Sequence, residues 1–264
     1  MLEKILPYMR CPRCTNQNLQ NQGNGLACNS CHAVYPIKTG ILDMMEREAD
    51  EVITPFQRVM QTPMVVSVYE KIWRRIGYYL ASSRSFSREM QTVLDLARNR
   101  IHGRALDLAC GPGVFTRPLA RSSQGLIVGL DLSWPMLRHA QKALQKEGIH
   151  NILLIRATAF AMPFVDGSFQ YMNCCGALHL FDKPELALKE MARVLAHNAF
   201  LCVQTTIRPA RSAGVAFILE KFIRFGFFDE SELRHLLESN GFEVSDSQRH
   251  RISFTFLAKC RKKL

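Results

Sequence analysis

From residue 104 onward the chain alternates short apolar runs with longer stretches whose apolar positions recur at helical spacing. Arg104–Leu108, Gly125–Asp131, Asn151–Arg156, Phe169–Cys175 and Phe200–Thr205 are nearly continuous apolar runs, as strands buried on both faces require. Between them, helices are predicted from Phe115 to Leu119, from Ser133 to Gly148, and from Glu185 to Ala196. Leu137, Ala140 and Leu144 give the second of these its buried stripe, and Leu188, Met191 and Leu195 the third. Ser133 is a helix cap with Pro135 in the first turn, and Gly148 is the stop. A last helix, Ser231–Ser239, precedes Gly241–Val244 and Phe254–Ala258, which read as a closing antiparallel hairpin. Strands alternating with helices make this an α/β chain.

Upstream, Met90, Val93, Leu94 and Ala97 share one face of a helix predicted over Arg88–Arg100. Val65, Tyr69, Ile72, Trp73 and Ile76 also recur at helical spacing, and that stretch reads as packing or as a lid over a substrate. Glu46–Glu51 is an acidic, polar linker. The chain therefore divides into a small module over 1–45, a linker and helical cap over 46–100, and a main domain over 101–264. Residues 206–230 form an insertion within that domain. There Phe217, Ile218, Phe222 and Phe225 alternate with Arg208, Arg211, Lys221 and Arg224, which fits a core helix, an apolar substrate pocket or a membrane-surface face.

The chemistry concentrates at the first strand, which carries Asp107 and ends in Gly111-Pro112-Gly113. Glycine is needed where backbone bends past the usual φ limits and lets a ligand approach. A dinucleotide turn would carry a third glycine where Thr116 stands, and Pro112 removes an N–H donor, so the turn suits a ligand without phosphates. Asp131 closes the second strand, placed to grip two ribose hydroxyls. His179 follows the fourth strand, at the edge of the sheet where ligands lie in such folds. Its proton exchange suits neutral pH, for a general base or an orienting group, with packing behind the ligand as the alternative. Cys174 and Cys175 read as core thiols rather than nucleophiles.

Cys11-Pro12-Arg13-Cys14 and Cys28-Asn29-Ser30-Cys31 are two Cys-x-x-Cys knuckles. Each sets two thiolates at one turn, and two knuckles close a tetrahedron around Zn²⁺. The Asn, Gln and Gly between them fit a hairpin with little core, whose folding energy comes from the metal. Four thiolates make a closed, structural site; His32, adjacent, reads as a plain surface histidine or a substitute ligand. Ala33–Ile37 and Gly40–Met44 follow, the latter a short strand that docks the ribbon.

Of nine cysteines four form this pattern and five are scattered, which indicates a reducing, cytoplasmic compartment. No run of eighteen apolar residues exists to span a membrane as a helix, and Met1–Arg10 lacks the apolar core of a signal peptide. The net charge of +11 raises a nucleic-acid partner, but the first fifty residues are neutral and the excess lies just before residue 105 and beyond residue 204.

Asp107, Gly111, Gly113 and Asp131, in this strand, turn and strand setting, resemble motif I of class I S-adenosylmethionine (SAM) methyltransferases, usually Asp-x-x-x-Gly-x-Gly. The resemblance extends over roughly residues 100 to 264. It implies a Rossmann-like sandwich with a seven-stranded, mostly parallel sheet, preceded by the zinc ribbon. SAM is then expected over Gly111–Gly113, its ribose on Asp131, its adenine near Leu132, Met136, Thr158 and Ala159. Ala109 and Cys175 complete the expected cofactor-facing positions, and Asp107 shapes the turn and faces the methionine amine, directly or through water. Many relatives carry aspartate where Thr158 stands, and Pro-Gly-Gly where His197-Asn198-Ala199 stands; Asn198 is able to take the left-handed geometry of the glycine. The ribbon is similar to one preceding some SAM methyltransferases, including large-subunit rRNA guanine-N1 enzymes, whose fourth ligand is typically a histidine where this chain offers Cys31. Thr54–Arg74 resembles bacterial and plastid methyltransferases linked to quinone-type or other lipophilic metabolites. The expectation is methyl transfer to a small lipophilic or aromatic metabolite. An rRNA base is the alternative acceptor, and a non-catalytic SAM-binding protein the third reading, suggested by Thr158 and His197–Ala199. Peripheral membrane contact stays open, and no stable protein partner is implied.

Overall fold

In the computed structural model the sheet is organised on β5 (Arg104–Leu108), whose Ala105, Leu106 and Leu108 are buried with strands on either side. The structure describes residues 1–45, 79, 83–208 and 226–261. The helical stripe expected from Val65 to Ile76 and the insertion residues Phe217, Ile218, Phe222 and Phe225 lie outside the described residues.

On one side of β5 run β6 (Leu126–Asp131) and β7 (Ile152–Arg156); on the other run β8 (Phe169–Cys175) and β9 (Leu195–Thr206), all parallel. β10 (Phe242–His250) and β11 (Ser253–Cys260) close that side as an antiparallel hairpin, longer than expected because its polar outer residues still pair. The direction of winding reverses between β5 and β8, which opens a crevice beyond their carboxyl ends. Helix α2 (Phe86–Ala97) precedes β5 and is capped by the Ser85 side chain. The short α3 (Thr116–Arg121) follows β5, and α4 (Trp134–Glu147) follows β6. Ser133 caps α4, Pro135 sits in its first turn and Gly148 ends it at φ +63°, so the local stop and start signals hold. α5 (Pro184–Val194) runs straight into β9, and Asn198 adopts φ +64° within it, the geometry expected of it. α6 (Glu230–Ser239) leads into β10.

The expected count of seven strands is corrected to eleven among the described residues. The main domain supplies seven, in the order β7-β6-β5-β8-β9-β11-β10, and the N-terminal module adds four. After the short helix α1 (Leu2–Ile5) come β1 (Leu19–Asn21), β2 (Gly25–Cys28), β3 (Val34–Lys38) and β4 (Ile41–Asp43), joined antiparallel in sequence. β4 then pairs parallel with β7, Ile41 with Leu154 and Asp43 with Arg156. The reason is the open edge of β7, whose unpaired backbone groups take a strand as partner. The apolar core is continuous across this joint: Ile5, Leu26, Tyr35 and Leu42 of the module pack in one cluster with Leu106, Val128 and Phe164.

Candidate active site

The backbone leaving β5 turns through three left-handed residues, Ala109 at φ +53°, Gly111 at +55° and Gly113 at +78°. The two glycines have different reasons. A Cβ on Gly113 would lie 3.2 Å from the Ala140 Cβ of α4, so this glycine lets helix and turn close up. A Cβ on Gly111 would meet nothing within 4 Å, so that side of the turn is open to a ligand. Ala109 holds a conformation that a side chain rarely adopts, a strain of the kind found at functional sites.

Asp131, at the tip of β6, ties this turn to the next helix. Its Oδ2 accepts from the Gly111 N–H at 2.7 Å and its Oδ1 from the Ser133 N–H at 2.8 Å. Two of about four lone-pair positions are thereby used, leaving acceptor capacity for vicinal hydroxyls. Desolvation pushes its pKa up, opposed by the Ser133, Gly111 and Leu132 amides. Asp107 is 2% exposed and works from beneath: its Oδ2 accepts from Thr116 Oγ1 at 2.5 Å and its Oδ1 from Asn173 Nδ2 at 2.7 Å. These two bonds tie the start of α3 and the end of β8 to the turn. Cys175 joins the same network, its thiol donating to Asn173 Oδ1 at 3.1 Å, and burial holds that thiol far above its ordinary pKa. The Cys175 side chain is therefore turned into the sheet and is no nucleophile.

The opposite wall is built by residues after β6 and β7. Met136 is buried in the first turn of α4, and Leu132, Thr158 and Ala159 are partly exposed. Thr158 Oγ1 accepts from the Phe160 N–H at 3.1 Å, so its hydroxyl is shared with the local turn. The Ala157 N–H donates to the Asp131 carbonyl at 3.2 Å, which sets the two walls against each other.

His179 lies in a 3-10 turn, Leu178–Leu180, just past β8 and is 8% exposed. Its Nδ1 is 3.4 Å from Thr205 Oγ1, and its carbonyl accepts from the Gly226 N–H at 2.8 Å. The expected proton exchange near neutral pH is corrected: burial lowers its pKa to about 4, because the imidazolium loses its hydration there. At neutral pH the ring is uncharged, a hydrogen-bonding group with little basicity.

Sequence reasoning missed another buried carboxylate. Glu89 of α2 is 0% exposed and accepts from Gln204 Nε2 at 2.9 Å, while its Oε1 has no hydrogen-bond partner among the described residues. The available signal was its position one turn before Val93, on the apolar stripe of the helix.

At the far edge of the sheet the four Sγ atoms of Cys11, Cys14, Cys28 and Cys31 lie within 4.8 Å of one another. The Cys11–Cys31 and Cys14–Cys28 separations are both 3.6 Å. A tetrahedron with Zn–S bonds of about 2.3 Å has edges of roughly 3.8 Å, so the donor set fits zinc in size and softness. The cluster consists of the cysteines alone, without His32. The Tyr35 hydroxyl lies 3.1 Å from Cys11 Sγ and supports it from the core.

Comparison with known proteins agrees with this geometry. Residues 105–198 match the family model described as a methyltransferase domain. An uncharacterized chloroplastic methyltransferase of Arabidopsis thaliana is 26% identical over 260 residues, covering 88% of this chain and 73% of that protein. The demethylmenaquinone methyltransferase of Geobacillus stearothermophilus is 34% identical over 128 residues, covering 46% of this chain and 55% of that protein. In fold, a SAM-dependent methyltransferase from Aquifex aeolicus superimposes with a TM-score of 0.60 at 17% identity, over 75% of this chain and 98% of that one. No helix among the described residues is long and apolar enough to cross a membrane. With its glycine turn, the buried acid that anchors it and this matched domain, the chain is a class I SAM-dependent methyltransferase, homologous to the plant chloroplastic and demethylmenaquinone methyltransferases.

Proposed function

We propose that this enzyme methylates a small lipophilic or aromatic acceptor of quinone type, from SAM held in the crevice beyond β5 and β6. The observation that carries the cofactor part is the Asp131 carboxylate, anchored on the Gly111 amide beside an open face of the turn. The similarity to demethylmenaquinone methyltransferases over 128 residues supports the acceptor class. In this reading Asp131 accepts from the ribose hydroxyls, and Leu132, Met136, Thr158 and Ala159 flank the adenine. The backbone of Ala109, Gly111 and Gly113 lies along the methionine part, with Asp107 and Cys175 bracing it from below.

SAM supplies a methyl group already activated by the adjoining sulfonium charge, so alignment of the acceptor provides much of the acceleration. His179, neutral and held near Thr205, orients the acceptor by hydrogen bonding, and the proton that the acceptor gives up as the methyl group is transferred passes to solvent. Cys11, Cys14, Cys28 and Cys31 hold one structural zinc.

The test uses SAM carrying a labelled methyl group with a panel of demethylated quinols and with ribosomal RNA. Label entering the quinol extract supports the reading. Label entering RNA alone, or no calorimetric binding of SAM and its product S-adenosylhomocysteine (SAH), overturns it. Metal analysis of the purified chain is expected to find about one zinc.

A further inference from the structure

The carboxyl ends of β4, β7 and β6 lie side by side, and their last residues are Asp43, Arg156 and Asp131. Asp43 and Arg156 are each 8% exposed and 113 residues apart in sequence, with Arg156 Nη1 3.4 Å from Asp43 Oδ1. The same guanidinium donates from Nε to the Leu132 carbonyl at 2.9 Å and lies 5.3 Å from the centroid of the Trp134 ring. The Arg156 carbonyl accepts from the Met44 N–H at 2.8 Å, binding the two strand ends through backbone as well. Lys38 Nζ approaches Asp43 Oδ2 at 3.5 Å from the solvent side.

One cation thus holds, at the same time, the residue after the ribose-facing acid and the last strand of the cysteine module. A guanidinium suits this because its planar fork serves two acceptors in fixed directions, which an ammonium does not. A charge this buried also needs a counter-charge, and Asp43 of the module supplies one. Remove Asp43 and the cation loses this counter-charge; its hold on Leu132 loosens, and with it the orientation of the Asp131 carboxylate.

We propose that Arg156, paired with Asp43, is a positioning residue for SAM acting through Leu132, so that the metal-loaded cysteine module sets SAM affinity. The proposal rests on the reading that Asp131 and its neighbours hold SAM. It follows by linkage that SAM binding and zinc binding strengthen each other to the same degree.

The experiment uses the full zinc-loaded chain and its Asp43→Asn, Arg156→Lys and Asp131→Asn variants. SAH affinity is measured by calorimetry and zinc affinity by competition with a chelator, with and without saturating SAH. Asp43→Asn is expected to weaken SAH binding about tenfold, with zinc content unchanged and Tm lowered by roughly 5–15 °C as the buried cation loses its counter-charge. In the parent, SAH raises zinc affinity; in Asp43→Asn that increase disappears, a readout that general loss of stability does not produce. Arg156→Lys keeps the charge but loses the fork, and shows the same SAH defect. If Asp43→Asn does not fold, Arg156→Lys carries the test with the same two outcomes. Unchanged SAH affinity in the folded variant, or zinc affinity indifferent to SAH, overturns the proposal. Loss of SAH binding in Asp131→Asn beside normal binding in Asp43→Asn overturns the coupling and leaves the cofactor site standing. Normal binding in all three overturns both.

Discussion

His179 has a pKa lowered by burial to about 4, and the stability of the fold should register it. In the unfolded chain an imidazole titrates near 6.5, so as pH falls the unfolded state takes up a proton first. The contribution of a neutral His179 is therefore complete above about pH 6.5 and is lost progressively down to about pH 4. Two and a half pKa steps of about 1.4 kcal/mol give a total on the order of 3 kcal/mol, of which about 2 kcal/mol is lost by pH 5. The Thr205 contact at 3.4 Å is long, so desolvation dominates this difference. The assay is urea unfolding near pH 7.5 and near pH 5 of the parent and of His179→Gln, which keeps hydrogen-bonding atoms but takes up no proton. The parent should lose about 2 kcal/mol more than the variant between the two conditions. Carboxylates and the cysteine cluster titrate equally in both proteins and cancel. Equal losses in parent and variant refute the reasoning. For catalysis the same geometry predicts that methyl transfer shows no inflection near neutral pH that His179→Gln removes.

Asp131→Asn, which removes the charge from the proposed ribose acceptor, should weaken SAH binding about a hundredfold by calorimetry, since hydrogen bonds to charged groups contribute about 1.5–3 kcal/mol each. Cys14→Ser should abolish stoichiometric zinc in metal analysis and lower Tm by roughly 5 °C or more, because the module and the main domain share one core. Gly113→Ala forces a side chain to φ +78° and within 3.2 Å of Ala140 Cβ, and should cost about 1–2 kcal/mol in urea unfolding.

Much of the catalytic scaffold was legible because its signals are local. The apolar runs of β5, β6 and β7, the cap at Ser133, the stop at Gly148 and the left-handed turn at Asn198 depend on neighbours a few residues away. The pairing of Cys-x-x-Cys knuckles was equally plain, since spacing alone places two thiolates at each turn. What linear order left open concerns residues far apart in the chain. The edge of β7 accepts β4 as its partner and carries the sheet to eleven strands, a choice made by unsatisfied backbone groups and not by any pattern within β4. Asp43 meets Arg156 across 113 residues and Glu89 meets Gln204 across 115, and neither carboxylate announces its partner beforehand. His179 was recognisable as a candidate from its place after β8, but its protonation was decided by burial, which only the packed protein imposes. Sequence determined where the turns, caps and clustered cysteines stand; tertiary structure decided which strand edges and buried charges they face, because hydration and hydrogen-bond partners are properties of the assembled interior.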